Sequence, residues 1–183
     1  MHIKEAINTS LQGNSNLNLY QEIHYYDYYH PYRGGSNPNF NDFSSKTLAL
    51  KDKKESAINY FFQFLDPIIE KNYIITVVPS SDPENLYTGI RKLAILLSNN
   101  GRIDGTSCLR RHTKVEKKSY GGSRNIDVDL NSIEVINKHL IIGNSILLLD
   151  DVTTTGNSLL ACQTLLIKFG ASGVVKLALG KTI

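Results

Sequence analysis

One stretch constrains the fold more than any other: Ser145-Ile146-Leu147-Leu148-Leu149, an apolar run that ends on two carboxylates, Asp150 and Asp151. A run this continuous has no polar face to offer water. It is expected of a central parallel strand covered on both sides, because antiparallel strands at a surface alternate apolar and polar residues. The next residues are equally specific. Val152-Thr153-Thr154-Thr155-Gly156-Asn157-Ser158 opens a segment whose Leu159, Leu160, Cys162, Leu165 and Leu166 recur at helical spacing, with Gly170 as the stop. Strand, polar loop and helix in this order predict one half of a βαβ unit.

The remaining chain reads in the same way. Helical spacing predicts a helix over 52–70, frayed or kinked near Pro67, and a second over 84–99 ended by Asn100-Gly101. The β-branched run Tyr73-Ile74-Ile75-Thr76-Val77-Val78 predicts a buried strand that stops at Pro79-Ser80-Ser81. Short strands are expected at 106–109 and 133–136, a helix over 157–169, and a last strand at 174–179. The polar, basic stretch 110–131 shows no core-forming pattern, and residues before Lys46 show no sustained period. The expected fold is therefore α/β, a mostly parallel sheet flanked by helices. It divides into an irregular region over 1–46 and a core over 47–183, within a single domain. At 183 residues the chain has room for one proper core and hardly for two.

Composition excludes several classes of function. No stretch approaches the roughly 20 apolar residues of a membrane span. The start Met1-His2-Ile3-Lys4-Glu5-Ala6 lacks the order of a signal peptide, so the cytoplasm is the expected location. Cys108 and Cys162 lie far apart and predict buried free thiols rather than a disulfide or zinc site. His2, His24, His112 and His139 have no ligand spacing. A net charge of +3 makes no case for nucleic acid but suits a locally basic pocket for an anionic substrate.

The chemistry concentrates after the central strand. Ligands of open α/β sheets gather at the carboxyl ends of the strands, where the loop from Asp150 to Ser158 emerges. Hydroxyls and successive backbone N–H groups at a helix N-terminus make a phosphate cradle, and Gly156 lets the backbone come close. Two adjacent carboxylates accept hydrogen bonds from sugar hydroxyls and hold a hydrated Mg²⁺, directly or through water.

Four apolar residues, two acids and a Thr/Gly-rich loop: the whole string resembles the binding motif for 5-phosphoribosyl pyrophosphate (PRPP) of type I phosphoribosyltransferases. The resemblance implies that Asp150 and Asp151 hold the ribose hydroxyls. It implies that Thr153, Thr154, Thr155, Gly156, Asn157 and Ser158 bind the 5′-phosphate. It further implies a pyrophosphate loop after the first core strand, where Ser80 and Ser81 stand, and a basic lid in the middle of the chain. The stretch 110–125 lies in the right place for that lid and offers Arg111, Lys114, Lys117 and Arg124. Within the family the closest likeness is to ComF-like proteins, through Asp150-Asp151-Val152-Thr153-Thr154-Thr155-Gly156, with looser echoes at Thr88-Gly89-Ile90-Arg91 and Gly122-Ser123-Arg124-Asn125. The cysteine-rich element common at their N-terminus is missing; Tyr25-Tyr26-Asp27-Tyr28-Tyr29-His30-Pro31-Tyr32-Arg33 stands there instead. These tyrosines read as a hood that stacks an acceptor base, as a half-buried strand, or as a contact of a homodimer.

The implied activity is Mg²⁺-dependent transfer of the 5-phosphoribosyl group to a nitrogen acceptor with release of pyrophosphate. A regulatory protein that keeps the PRPP or nucleotide site as a sensor is the alternative from another class. A PRPP-synthesising enzyme is a third, disfavoured because such chains normally carry two copies of the fold.

Overall fold

The computed structural model describes residues 22–116 and 126–183. Five parallel strands make the main sheet: β1 (Ile23–Tyr29), β2 (Ile74–Val77), β3 (Ile103–Asp104), β6 (Ser145–Thr153) and β7 (Gly173–Thr182). Their order across the sheet is β1-β7-β6-β2-β3. Two further short strands, β4 (Leu109–Arg111) and β5 (Ile133–Val135), pair antiparallel beside it, with Arg110 opposite Glu134. Among the described residues the α-helices are α1 (Asp42–Lys51), α2 (Glu55–Leu65), α3 (Gly89–Leu97), α4 (Ile126–Ser132) and α5 (Asn157–Lys168).

Strand pleating sorts the core into two layers. Ile75, Val77, Leu147, Leu149, Val175, Leu177 and Leu179 face α1, α2 and α3, packing on Phe61, Leu65, Leu93 and Leu97. Ile74, Ile146, Leu148, Val174 and Ala178 face the opposite way, onto Leu159, Cys162, Leu165 and Leu166 of α5. The four apolar residues of β6 are thus buried on both faces, each contributing about 1.5–3 kcal/mol relative to exposure. Both cysteines are free and buried, as their isolation predicts. Lys176 joins the α5 layer, where its ammonium donates to Gln163 Oε1 at 2.8 Å and burial lowers its pKa to about 8. Among the described residues no helix is long and apolar enough to cross a membrane.

Three expectations change. The helix predicted over 52–70 is the shorter α2: it starts at Glu55, after the left-handed Lys53 (φ 63°) that separates it from the unpredicted α1, and gives way to a 3-10 turn over Asp66–Ile68 at Pro67, where fraying or a kink was expected. The second predicted helix begins only at Gly89, where the Thr88 hydroxyl caps Arg91 N. Gly89 is required by packing, since a Cβ there would meet the Leu50 carbonyl oxygen of α1 at 1.8 Å. The third narrows the tyrosine stretch: of the hood, the half-buried strand and the homodimer contact, residues 23–29 take the half-buried strand, which completes the main sheet as edge strand β1, parallel to β7. Tyr25 and Tyr29 are buried, and Tyr26 stacks on Phe43 with ring centroids 5.8 Å apart. The boundary expected at Lys46 falls inside α1, and the earlier residues 1–21 of that region lie outside the described ones.

Candidate active site at the crevice between β2 and β6

Chain direction makes β2 and β6 special. They are neighbours in register, with Ile74 beside Ile146 and Val77 beside Leu149. The helix that follows β2 packs on one face of the sheet, and the helix that follows β6 packs on the other. Two loops therefore part at the carboxyl ends of these strands and leave a crevice, the place where open parallel sheets take their ligands. The loops are Pro79–Ser81 and Thr153–Ser158, the two stretches expected to hold phosphate groups.

β6 runs longer than its apolar stretch and carries both acids within the strand. By the two-residue period their side chains leave on opposite sides. Asp151 turns toward α1, where its carboxylate lies 3.5 Å from the Lys51 ammonium. Asp150 lies on the α5 side, and its Oδ1 accepts from Asp151 N at 2.9 Å. Burial, and then the charge of Asp151, pushes the Asp150 carboxyl well above the usual carboxylate range. The acids thus share the crevice edge but not one face.

The loop after them is built for a close anion. Gly156 has φ 83°, a conformation that strains any L side chain, and its Cα packs against Ile23 of β1. It is also the N-cap of α5 and has no side chain with which to cap it. By contrast α1 is capped by Asn41, which accepts from Ser44 N at 2.8 Å, and α3 by Thr88. Asn157 N, in the first turn, reaches Thr155 Oγ1 at 3.5 Å, so the first turn of this twelve-residue helix presents the positive end of its dipole to the loop without a cap from Gly156 itself. Thr154 and Thr155 are exposed, with Thr154 Oγ1 3.2 Å from Thr182 Oγ1, while Thr153 is buried. The Ser158 hydroxyl does not face the loop opening: it donates to Asp129 Oδ2 at 2.7 Å.

The second loop uses its carbonyls inward. Ser80 O accepts from Arg111 Nε at 2.7 Å and Ser81 O from Val115 N at 3.0 Å. Among the described residues, neither the Ser80 nor the Ser81 N–H has a partner. A cavity of about 180 Å³ opens beside Ser80, walled by Pro79, Pro83, Leu109 and Ile136 and reached by Arg91. The Arg91 guanidinium makes no hydrogen bond among the described residues, and burial lowers its pKa. Its signals in the sequence are the basic side chain in the first turn of α3 and its place in the Thr88-Gly89-Ile90-Arg91 echo.

The expected basic lid divides. Lys117 and Arg124 lie outside the described residues. Lys114 is exposed and pairs with Asp82 at 3.0 Å, one residue past the Ser80-Ser81 pair. Arg111 is corrected: it is not a mobile surface cation but a buried one, 2.8 Å from the buried Asp129. Strand β4 holds it there, since alternation along Leu109–Arg111 turns Leu109 and Arg111 inward and leaves Arg110 outside, paired with Glu134. Asp129 was missed by sequence reasoning. It sits in a stretch without core pattern, and nothing local distinguishes it from the neighbouring Asp127.

No group of three or more metal-ligating side chains gathers among the described residues. A magnesium ion here would depend on the oxygens of Asp150 and Asp151, water and substrate phosphates. That donor set suits a hard cation which keeps much of its hydration.

No protein-family model matches the chain. Over an alignment 147 residues long it is 26% identical to the adenine phosphoribosyltransferase of Desulforamulus reducens, covering 73% of this chain and 82% of that protein. Its structure is similar to that of the phosphoribosylpyrophosphate synthetase from Mycobacterium smegmatis, with a TM-score of 0.42 and 13% identity. That similarity covers 97% of this chain and 58% of the synthetase, so the chain spans little more than half of the latter's length.

Proposed function

We propose that the chain is a phosphoribosyltransferase that transfers the 5-phosphoribosyl group of PRPP to a nitrogen acceptor, a nucleobase or amine, and releases pyrophosphate. The observation that carries this reading is the crevice between β2 and β6, with the glycine-started helix on one side and, on the other, the Ser80 and Ser81 amides, which have no partner among the described residues. The sequence likeness to an adenine phosphoribosyltransferase supports it. The string from Asp150 to Gly156 favours the ComF-like branch of the family.

In this reading the amides and hydroxyls of Thr154 to Asn157 cradle the 5′-phosphate, and Asp150 and Asp151 accept from the ribose hydroxyls. The amides of Ser80 and Ser81, with Arg91 and Lys114, receive the pyrophosphate. Asp150 and Asp151, with the substrate phosphates and water, would hold a Mg²⁺ ion, which when bound would neutralise charge on the leaving group. The chain's own donors add to that electrostatic stabilisation, which usually supplies the largest share of such a rate enhancement. Holding PRPP at both ends fixes its anomeric carbon for attack.

The test is pyrophosphate release in the presence of Mg²⁺ and PRPP, with and without a panel of nucleobases and amines headed by adenine. Acceptor-dependent release that Asp151→Asn abolishes is the expected result. Saturable PRPP binding without turnover against any acceptor would replace the enzyme with a sensor. Failure to bind PRPP or any 5′-phosphorylated nucleotide would remove both.

A further inference from the structure

The two loops of the crevice leave different strands and diverge to opposite faces, yet a chain of buried and half-buried side chains joins them from behind. Arg111 Nε donates to the Ser80 carbonyl at 2.7 Å. Its two terminal nitrogens donate to Ser132 Oγ and, at 2.8 Å, to Asp129 Oδ1. The other Asp129 oxygen, Oδ2, accepts the Ser158 hydroxyl proton at 2.7 Å. Ser132 in turn donates to Val128 O and so holds the turn of α4 that presents Asp129. The side chains of Arg111 and Asp129 are 1% and 0% exposed, which keeps both out of reach of substrate.

A buried pair of this kind is weak evidence for stability, because desolvation cancels much of the attraction. What the arrangement supplies is geometry. A planar guanidinium fork takes one carbonyl of the first loop and one carboxylate oxygen, and the second carboxylate oxygen takes the second loop. The Ser158 hydroxyl also has a single proton, already given to Asp129, so phosphate in the loop receives amides there rather than this hydroxyl.

We propose that Arg111 and Asp129 are positioning residues that set the spacing of the two loops, so that one ligand with phosphates at both ends engages them together. This rests on the PRPP reading of the crevice and assigns these residues no contact with substrate. The consequence is selective. Pyrophosphate alone and ribose 5-phosphate alone each need one loop, whereas PRPP needs both at a fixed separation.

The experiment is calorimetric titration of wild type and Arg111→Met/Asp129→Leu with each of the three ligands in Mg²⁺. Removing both charges together avoids stranding one in the core, and near-ultraviolet dichroism of the tyrosines checks the fold. The folded double variant is expected to bind ribose 5-phosphate and pyrophosphate within about threefold of wild type and to lose about tenfold or more in PRPP affinity. Equal PRPP affinity in the two proteins would overturn the proposal. Should the double variant not fold, Ser158→Ala, which leaves the ion pair intact, decides the matter. A loss confined to PRPP supports positioning, and equal losses for PRPP and ribose 5-phosphate make the hydroxyl a direct ligand and overturn it. A wild type that binds none of the three ligands would instead remove the parent reading, an outcome distinct from any loss confined to a variant.

Discussion

The segment from Asp150 to Ser158 and the Arg111–Asp129 pair, held by β4 and α4, both border the crevice, but they reach it by different physics. The first is local. Its acids, its left-handed glycine and its helix N-terminus are consecutive in the chain, so the pattern of residue types already contains the geometry. The second is assembled at a distance. Arg111 meets Asp129 across eighteen positions and Ser80 across thirty-one, and Asp129 meets Ser158 across twenty-nine. The Arg111–Asp129 pair of the second region is fully buried, whereas Asp151 in the first keeps partial contact with solvent.

The sharpest way to break this contrast is to remove one charge from each region. Arg111→Met strands a fully buried Asp129 carboxylate and is expected to cost about 3–5 kcal/mol of stability in denaturant unfolding. Comparable stability in Arg111→Met and wild type would mean that the pair is not buried as described. Next in size is the effect of Asp150. Burial and Asp151 raise its pKa when folded, so the folded state binds the proton more tightly than the unfolded one. Stability tied to this group is present at low pH and is lost as pH rises through the folded value. Asp150→Asn should therefore melt no lower than wild type at pH 7 while PRPP affinity collapses. In wild type, acidification should weaken PRPP binding from a pH well above the ordinary carboxylate value of 3.8. A binding profile flat down to that value would contradict the assignment. Smallest is Lys51→Met, which removes a half-exposed partner of Asp151 and should cost less than about 1 kcal/mol. A larger loss would place Asp151 in a more buried setting than the crevice edge.

The same contrast explains what could be read in advance. The central strand, the helix after it and the α/β layering were legible, because four apolar residues in a row and a 3.6-residue period are local signals. Gly156 was legible as a backbone requirement for the same reason. Arg111 was read as a lid cation because it stands at the head of a basic run; its burial depends on pairing of β4 with β5, which no periodicity reveals over three residues. Asp129 carried no signal at all. The tyrosines of β1 left a hood, a half-buried strand and a homodimer contact open, because a parallel edge strand has its partner β7 some 150 positions later in the chain. Helix α1 went unread because Asp42–Lys51 carries too weak an apolar period to mark a buried face, whereas α2 carries a strong one.

The most direct measurement is a titration of PRPP with Mg²⁺ into wild type and Gly156→Val, followed by calorimetry, with dichroism to confirm that both proteins are folded. The valine would hold a conformation that L side chains rarely adopt, with its Cβ only 2.2 Å from Ile23 Cδ1, so the loop must give up its cradle. Saturable binding to wild type and a loss of about a hundredfold or more in the variant is the expected result. Equal affinity in the two folded proteins would contradict the placing of the 5′-phosphate at the N-terminus of α5.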